Sequence, residues 1–147
     1  MIEMTEGDIS IDAVVSKTRR PSMGALVQFL GTVRNMTEDR KVKRLEFEVD
    51  VDPAIEELER IREEAIREFG VTDVSIVHRF GTLNVGENIV LIVVGAAHRD
   101  AAFKGCRYAI EQLKERAHIW KKEHFEGGSY WVGEREIERE EGSSSDG

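Results

Sequence analysis

The sequence predicts one α+β domain, and three patterns carry that reading. Val42 to Asp50 alternates Leu45, Phe47 and Val49 with Glu46, Glu48 and Asp50, the period of a strand with one wet face. Ile55, Leu58, Ile61, Ala65, Ile66 and Phe69 recur at helical spacing and form a single apolar stripe. Ile89 to Val94 is apolar without interruption but short, as expected of a strand buried on both faces.

The other elements follow in chain order. Ser10 is placed to cap a short helix from about Ile11 to Lys17, and Arg19 to Met23, containing Pro21, reads as a loop. Gly24 to Arg34 is rich in strand formers, and the polar segment Asn35 to Lys41 is expected to join it to the next strand as a loop. Asp52 and Pro53 supply a cap and a first-turn residue for the striped helix, which Gly70 should stop. Val74 to Phe80 and Glu87 to Ala96 read as strands around the turn signal Asn84 to Gly86. Asp100 is expected to cap a helix from Ala101 to Ala117. Residues 1–135 are read as the single domain, and the charged, then Ser/Gly-rich segment 136–147 as a flexible tail.

Composition narrows the function. The chain has 147 residues with 21 Lys/Arg against 29 Asp/Glu, a net charge of −8, which argues against a general nucleic-acid binder. The longest strongly apolar run is too short for a bilayer and the N-terminus has no signal-peptide pattern, so a soluble, cytoplasmic protein is expected. A single cysteine, Cys106, allows no internal disulfide and leaves no cysteine cluster for a metal; neither a metal nor another cofactor is expected.

Against this acidic background, His98 to Lys122 carries seven Lys/Arg and three Asp/Glu, a local excess suited to a pocket for a small anion. His98 and Arg99 fall between a buried strand and a helix N-terminus, where free N–H groups and the helix dipole favour negative charge. On a helical wheel Ala102, Phe103, Cys106, Ala109, Ile110, Leu113 and Ala117 share one arc, with Lys114 at its border. A border lysine ordinarily snorkels to solvent; in a pocket, partial desolvation and neighbouring cations would lower its pKa toward proton-transfer range. Trp120 could wall a cleft, Lys121 adds a second ammonium, and Arg34 could project a third cation from a sheet edge. Cys106, central in the apolar arc, reads as core and not as a nucleophile.

Three blocks together are distinctive: Phe29-Leu30-Gly31-Thr32-Val33-Arg34-Asn35, Ala97-His98-Arg99, and Leu113-Lys114 followed by Ile119-Trp120-Lys121-Lys122-Glu123. In order and spacing they resemble the large, catalytic subunit of molybdopterin synthase, the MoaE family, from about Gly24 to Arg135. The resemblance implies an α/β hammerhead fold with a smaller antiparallel β subdomain. It also implies a homodimer with a small ubiquitin-like, thiocarboxylated sulfur-carrier subunit at each end, giving a heterotetramer. The implied reaction converts cyclic pyranopterin monophosphate to molybdopterin, with two sulfurs supplied by the thiocarboxylate at the small subunit's C-terminus.

By position, the resemblance makes Thr32, Val33, Arg34, His98, Arg99, Lys114, Lys121, Lys122, Glu123 and Arg135 substrate-binding residues, with Lys114 and Lys121 the catalytic pair. The family's pocket lies near the dimer interface, so a neighbouring chain is expected to contribute. His118 stands where relatives commonly have proline, and Asp50 and Asp52 stand near Pro53 where an aromatic or histidine is expected. The competing reading is a dimeric module that binds a phosphorylated metabolite or a partner's C-terminal carboxylate without turnover.

Overall fold

A computed structural model describes residues 1–132 and the strand at 138–139. Its elements are β1 (Ile2–Thr5), α1 (Ile11–Thr18), β2 (Ala25–Thr32), β3 (Met36–Thr37), β4 (Arg40–Val49), α2 (Val51–Phe69), β5 (Asp73–Arg79), β6 (Gly81–Asn84), β7 (Asn88–Ala96), α3 (Arg99–Arg116), β8 (Ile119–Phe125), β9 (Gly128–Val132) and β10 (Glu138–Arg139). They form two sheets. The first has strand order β1-β5-β7-β2, with β1 parallel to β5 and the other pairs antiparallel. The second is antiparallel, runs β10-β9-β8-β4-β3, and carries β6 on β4. This is the expected α+β arrangement, with the helices on the first sheet and a separate antiparallel subdomain.

The unbroken apolar run in β7 is explained by cover on both sides of the first sheet. Ile92 and Val94 point to α2 and α3, where they meet Leu58, Ile61, Ala65, Ala102, Cys106, Ala109 and Leu113. Leu91 and Val93 point the other way, toward Ile9 and Val14 at α1. Successive strand residues thus serve two cores. Burying Leu58 and Ile61 completely stabilises the fold by about 1.5–3 kcal/mol each. Gly105 lets α3 approach closely, since a Cβ there would lie 3.0 Å from Val71 and 3.3 Å from Val94.

Local signals set most boundaries. Ser10 caps α1 by accepting a hydrogen bond from the Ala13 N–H, and Gly70 ends α2 in the left-handed conformation at φ 71°. Asp73, at the start of β5, pairs with Arg62 at 2.7 Å and Arg20 at 2.8 Å, tying α2 and the loop after α1 to the sheet. Burial pushes its carboxyl upward, but the two guanidiniums and the Val74 N–H hold it below its ordinary pKa.

Several expectations are corrected. The segment Asn35 to Lys41 is not a loop: β3 and the start of β4 form a tight hairpin there, paired Met36 with Lys41 and Thr37 with Arg40. Asp50, not Asp52, is the N-cap of α2, and it makes no side-chain cap bond; Asp52 and Pro53 sit in the first turn. The N-cap of α3 is His98, not Asp100, which instead pairs with Lys104 at 3.2 Å on the surface. Phe103 leaves the apolar arc and is 60% exposed. Strands β1, β6, β8 and β9 carry no strand pattern of their own in the sequence, because short or mixed-polarity segments acquire strand geometry from the neighbours they pair with. Apart from β10, the tail 136–147 lies outside the described residues. Among the described residues no helix is long and apolar enough to cross a membrane.

Candidate active site

Three cations from separate parts of the chain share one electrostatic neighbourhood. Lys121 lies on β8, Lys114 in the last turn of α3, and Arg34 two residues past the end of β2. Burial pushes the Lys121 ammonium below its ordinary pKa; Glu123 opposes that shift, while the charges of Lys114 and Arg34 add to it. A lysine 34% exposed and flanked by two further cations is poised to attract an anion or give up a proton. Beside it, Glu123 is a buried carboxylate, 6% exposed, with an oxygen 3.8 Å from the Lys121 ammonium.

The scaffold explains this convergence. Val33 is 3% exposed and fixed from both sides: its N–H donates to the Glu87 carbonyl at 3.0 Å and its own carbonyl accepts from Gly86 at 2.9 Å. Arg34 therefore starts from an anchored backbone, while Thr32 beside it is exposed. At the end of α3, Arg116 pairs with Glu64 at 2.6 Å and Glu57 at 2.7 Å, clamping the turn that carries Lys114 onto α2. The carbonyl of His118 accepts from the Asp50 N–H at 3.2 Å, so hydrogen bonding ties the connection into β8 to the start of α2. In β8, strand alternation sends Lys121 and Glu123 to one face and Trp120 and Lys122 to the other. Lys122 there lies 5.1 Å from the centre of the Trp131 ring, and Trp120 is 47% exposed.

The chain does not bring every expected residue to this place. Arg34, Lys114, Lys121 and Glu123 converge. His98 and Arg99 are exposed at the opposite end of α3, and the fifteen residue steps from Arg99 to Lys114 span about 22 Å at 1.5 Å per residue. The buried side chain of Val33 packs in the core of the second sheet with Leu45, Phe47 and Leu83, and its N–H and carbonyl are already bonded to Glu87 and Gly86, so Val33 shapes the site by anchoring Arg34. Arg135 lies outside the described residues. Thr37 was missed by sequence reasoning; its hydroxyl donates to Glu123 at 3.3 Å. No local signal marks it, because its position depends on the β3–β4 hairpin.

Cys106 is core, as its place in the apolar arc predicts. It is buried in α3, and burial pushes its thiol up to about 11, the opposite of an activated nucleophile. Among the described residues no cluster of three or more His, Cys, Asp or Glu is arranged to hold a metal ion.

The fold and this cluster define a class: an α+β protein with a lysine-rich, partly desolvated site for anionic groups. The family model described as MoaE protein matches residues 4–116. The molybdopterin synthase catalytic subunit of Pyrococcus abyssi is 40% identical over 131 residues, covering 88% of each chain. The human molybdopterin synthase catalytic subunit is 36% identical over 136 residues, covering 92% of this chain and 72% of its own. The crystal structure of molybdopterin synthase from Staphylococcus aureus superposes with a TM-score of 0.86 at 38% identity, covering 89% of this chain and 96% of that one. The chain belongs to the MoaE family.

Proposed function

We propose that this chain is the catalytic subunit of a molybdopterin synthase, with residues 1–135 as its single catalytic unit. It converts cyclic pyranopterin monophosphate to molybdopterin using sulfur from the C-terminal thiocarboxylate of a small ubiquitin-like subunit. The observation that carries this reading is the convergence of Arg34, Lys114 and Lys121 beside the buried Glu123.

The residue inventory supports the division of labour. A dithiolene needs two sulfurs, and the one cysteine here is buried with its thiol protonated, so sulfur comes from another molecule. Both the substrate phosphate and the partner's terminus are anionic, and the cations neutralise and orient them. Lys114 stabilises the oxyanion or relays the proton that thiocarboxylate attack requires, and Lys121, already partly desolvated, assists. A single unpaired, buried cysteine also suits a reducing cytoplasm.

His98 and Arg99 hold phosphate in this proposal, but they lie too far along α3 to reach Lys114 of their own chain. A second copy supplies them. Phe103, 60% exposed one turn from Arg99, gives that end of α3 an apolar contact for the second copy. The test is to purify the chain with its candidate small partner and follow the mass of the partner's C-terminus before and after pterin is added. Loss of the thiocarboxylate sulfur with formation of a dithiolene product is expected; binding without consumption of sulfur would instead make this a non-catalytic module.

A further inference from the structure

We propose that Thr37 is a positioning residue for the lysine site: its hydroxyl shares the Glu123 carboxylate with Lys121 and keeps their ion pair long, so that acid and amine stay paired without closing to full contact. The same carboxylate oxygen, Oε2, serves both neighbours. It accepts from Thr37 Oγ1 at 3.3 Å and lies 3.8 Å from Lys121 Nζ, a long ion pair that a shift of the carboxylate toward the amine would tighten. Glu123 is buried, where a carboxylate left without partners would be costly.

The hairpin that carries Thr37 is built to hold this position. Thr37 follows Arg34 by three residues, so the hairpin links the arginine to the lysine strand, although β4 separates β3 from β8 in the sheet. Its turn places Glu38 at φ 55°, a conformation that disfavours a side chain. Just beyond the turn, the Arg40 guanidinium lies 4.5 Å from the centre of the Tyr130 ring and 5.2 Å from that of Phe125, tying the hairpin to β8 and β9. The charged groups acting on Lys121 come from three elements: Glu123 from β8, Lys114 from α3 and Arg34 from the end of β2. Its cross-strand neighbours, Phe47 on β4 and Val132 on β9, carry no charge. Glu123 is thus the one negative group in that set, and its distance from the amine sets how firmly Lys121 keeps its proton.

The part of this inference that concerns turnover rests on the proposed reaction; the part that concerns Lys121 does not. The test compares the full-length protein with its Thr37→Val and Thr37→Ser variants. Titration of Lys121 is followed by pH-dependent reductive methylation and peptide mass spectrometry, and product formation is followed with the thiocarboxylated partner and pterin. In Thr37→Val, Glu123 closes on the amine and the Lys121 titration midpoint rises by about half a unit to one unit. The basic arm of the pH–rate profile rises with it, and kcat at neutral pH falls several-fold with little change in KM. Thr37→Ser restores both. A Lys121 titration unchanged in Thr37→Val, or moved equally in Thr37→Ser, overturns the inference. If the titration moves as described but the wild-type protein makes no product, the positioning role stands and the proposed reaction falls.

Discussion

The two ends of α3 carry similar chemistry and have different fates. At its C-terminal end, Lys114 enters a field already made by Arg34 and Lys121, on a turn clamped by Arg116 to Glu57 and Glu64. At its N-terminal end, His98 and Arg99 stand exposed, and the nearby pair Asp100–Lys104 is a surface contact. At one end the neighbouring cations come from the same chain. The other presents cations, the positive end of the helix dipole and an exposed Phe103 outward. A helix is rigid over its length, so the two groups cannot meet within one molecule, and a site that uses both requires two chains.

That contrast can be broken by experiment. Lys114→Ala is expected to lower single-turnover sulfur transfer by about 10²–10⁴-fold while leaving thermal stability unchanged, because Lys114 is exposed; wild-type transfer would remove Lys114 from the chemistry. Mixing the inactive chains Lys114→Ala and Arg99→Ala should then restore activity. Half of randomly assorted dimers combine the two chains, and each such dimer holds one intact site, so recovery approaches about a quarter of wild type. No recovery would mean that Arg99 does not act across chains.

Stability measurements sharpen the same comparison. Glu64 has its pKa held down at about 2, first by the hydrogen bonds from Arg116 and then by that from Tyr108. Its folded pKa lies below the unfolded value, so the stabilisation is present above the ordinary carboxylate range and is lost as pH falls toward 2. Glu64→Gln should therefore lower the urea midpoint at pH 7, with the difference from wild type shrinking between about pH 4.5 and 2. A difference independent of pH would show that the clamp is not ionic. The smallest effect belongs to the other end: Asp100→Asn removes an exposed pair and should change stability by about 0.5 kcal/mol or less. A loss as large as that of Glu64→Gln would erase the distinction between the ends.

The elements with strong local periodicity were legible from the residues. The stripe of α2, the cap at Ser10, the stop at Gly70 and the doubly buried β7 each depend on spacing or on one residue's preference, and each appears where expected. Boundaries that rested on a plausible cap failed at Asp52 and Asp100, because an acidic residue anywhere in a first turn satisfies the dipole and several positions compete. The hairpin at Asn35 to Lys41 was illegible for another reason. Its polar residues have no strand signature, and pairing with β4 alone gives them strand form.

The sequence by itself determined the α+β class, the apolar faces that build the core, and a supply of cations in an otherwise acidic chain. Those properties are local, fixed by periods of two and of 3.6 residues and by residue type. Tertiary structure decided which cations meet. It set Lys121 against Lys114 and Arg34, buried Glu123 beside them under Thr37, turned Lys122 to the opposite face, and left His98 and Arg99 at the far end of a rigid helix. Strand register and helix packing join residues distant in the chain, and such contacts depend on how all the elements fit at once.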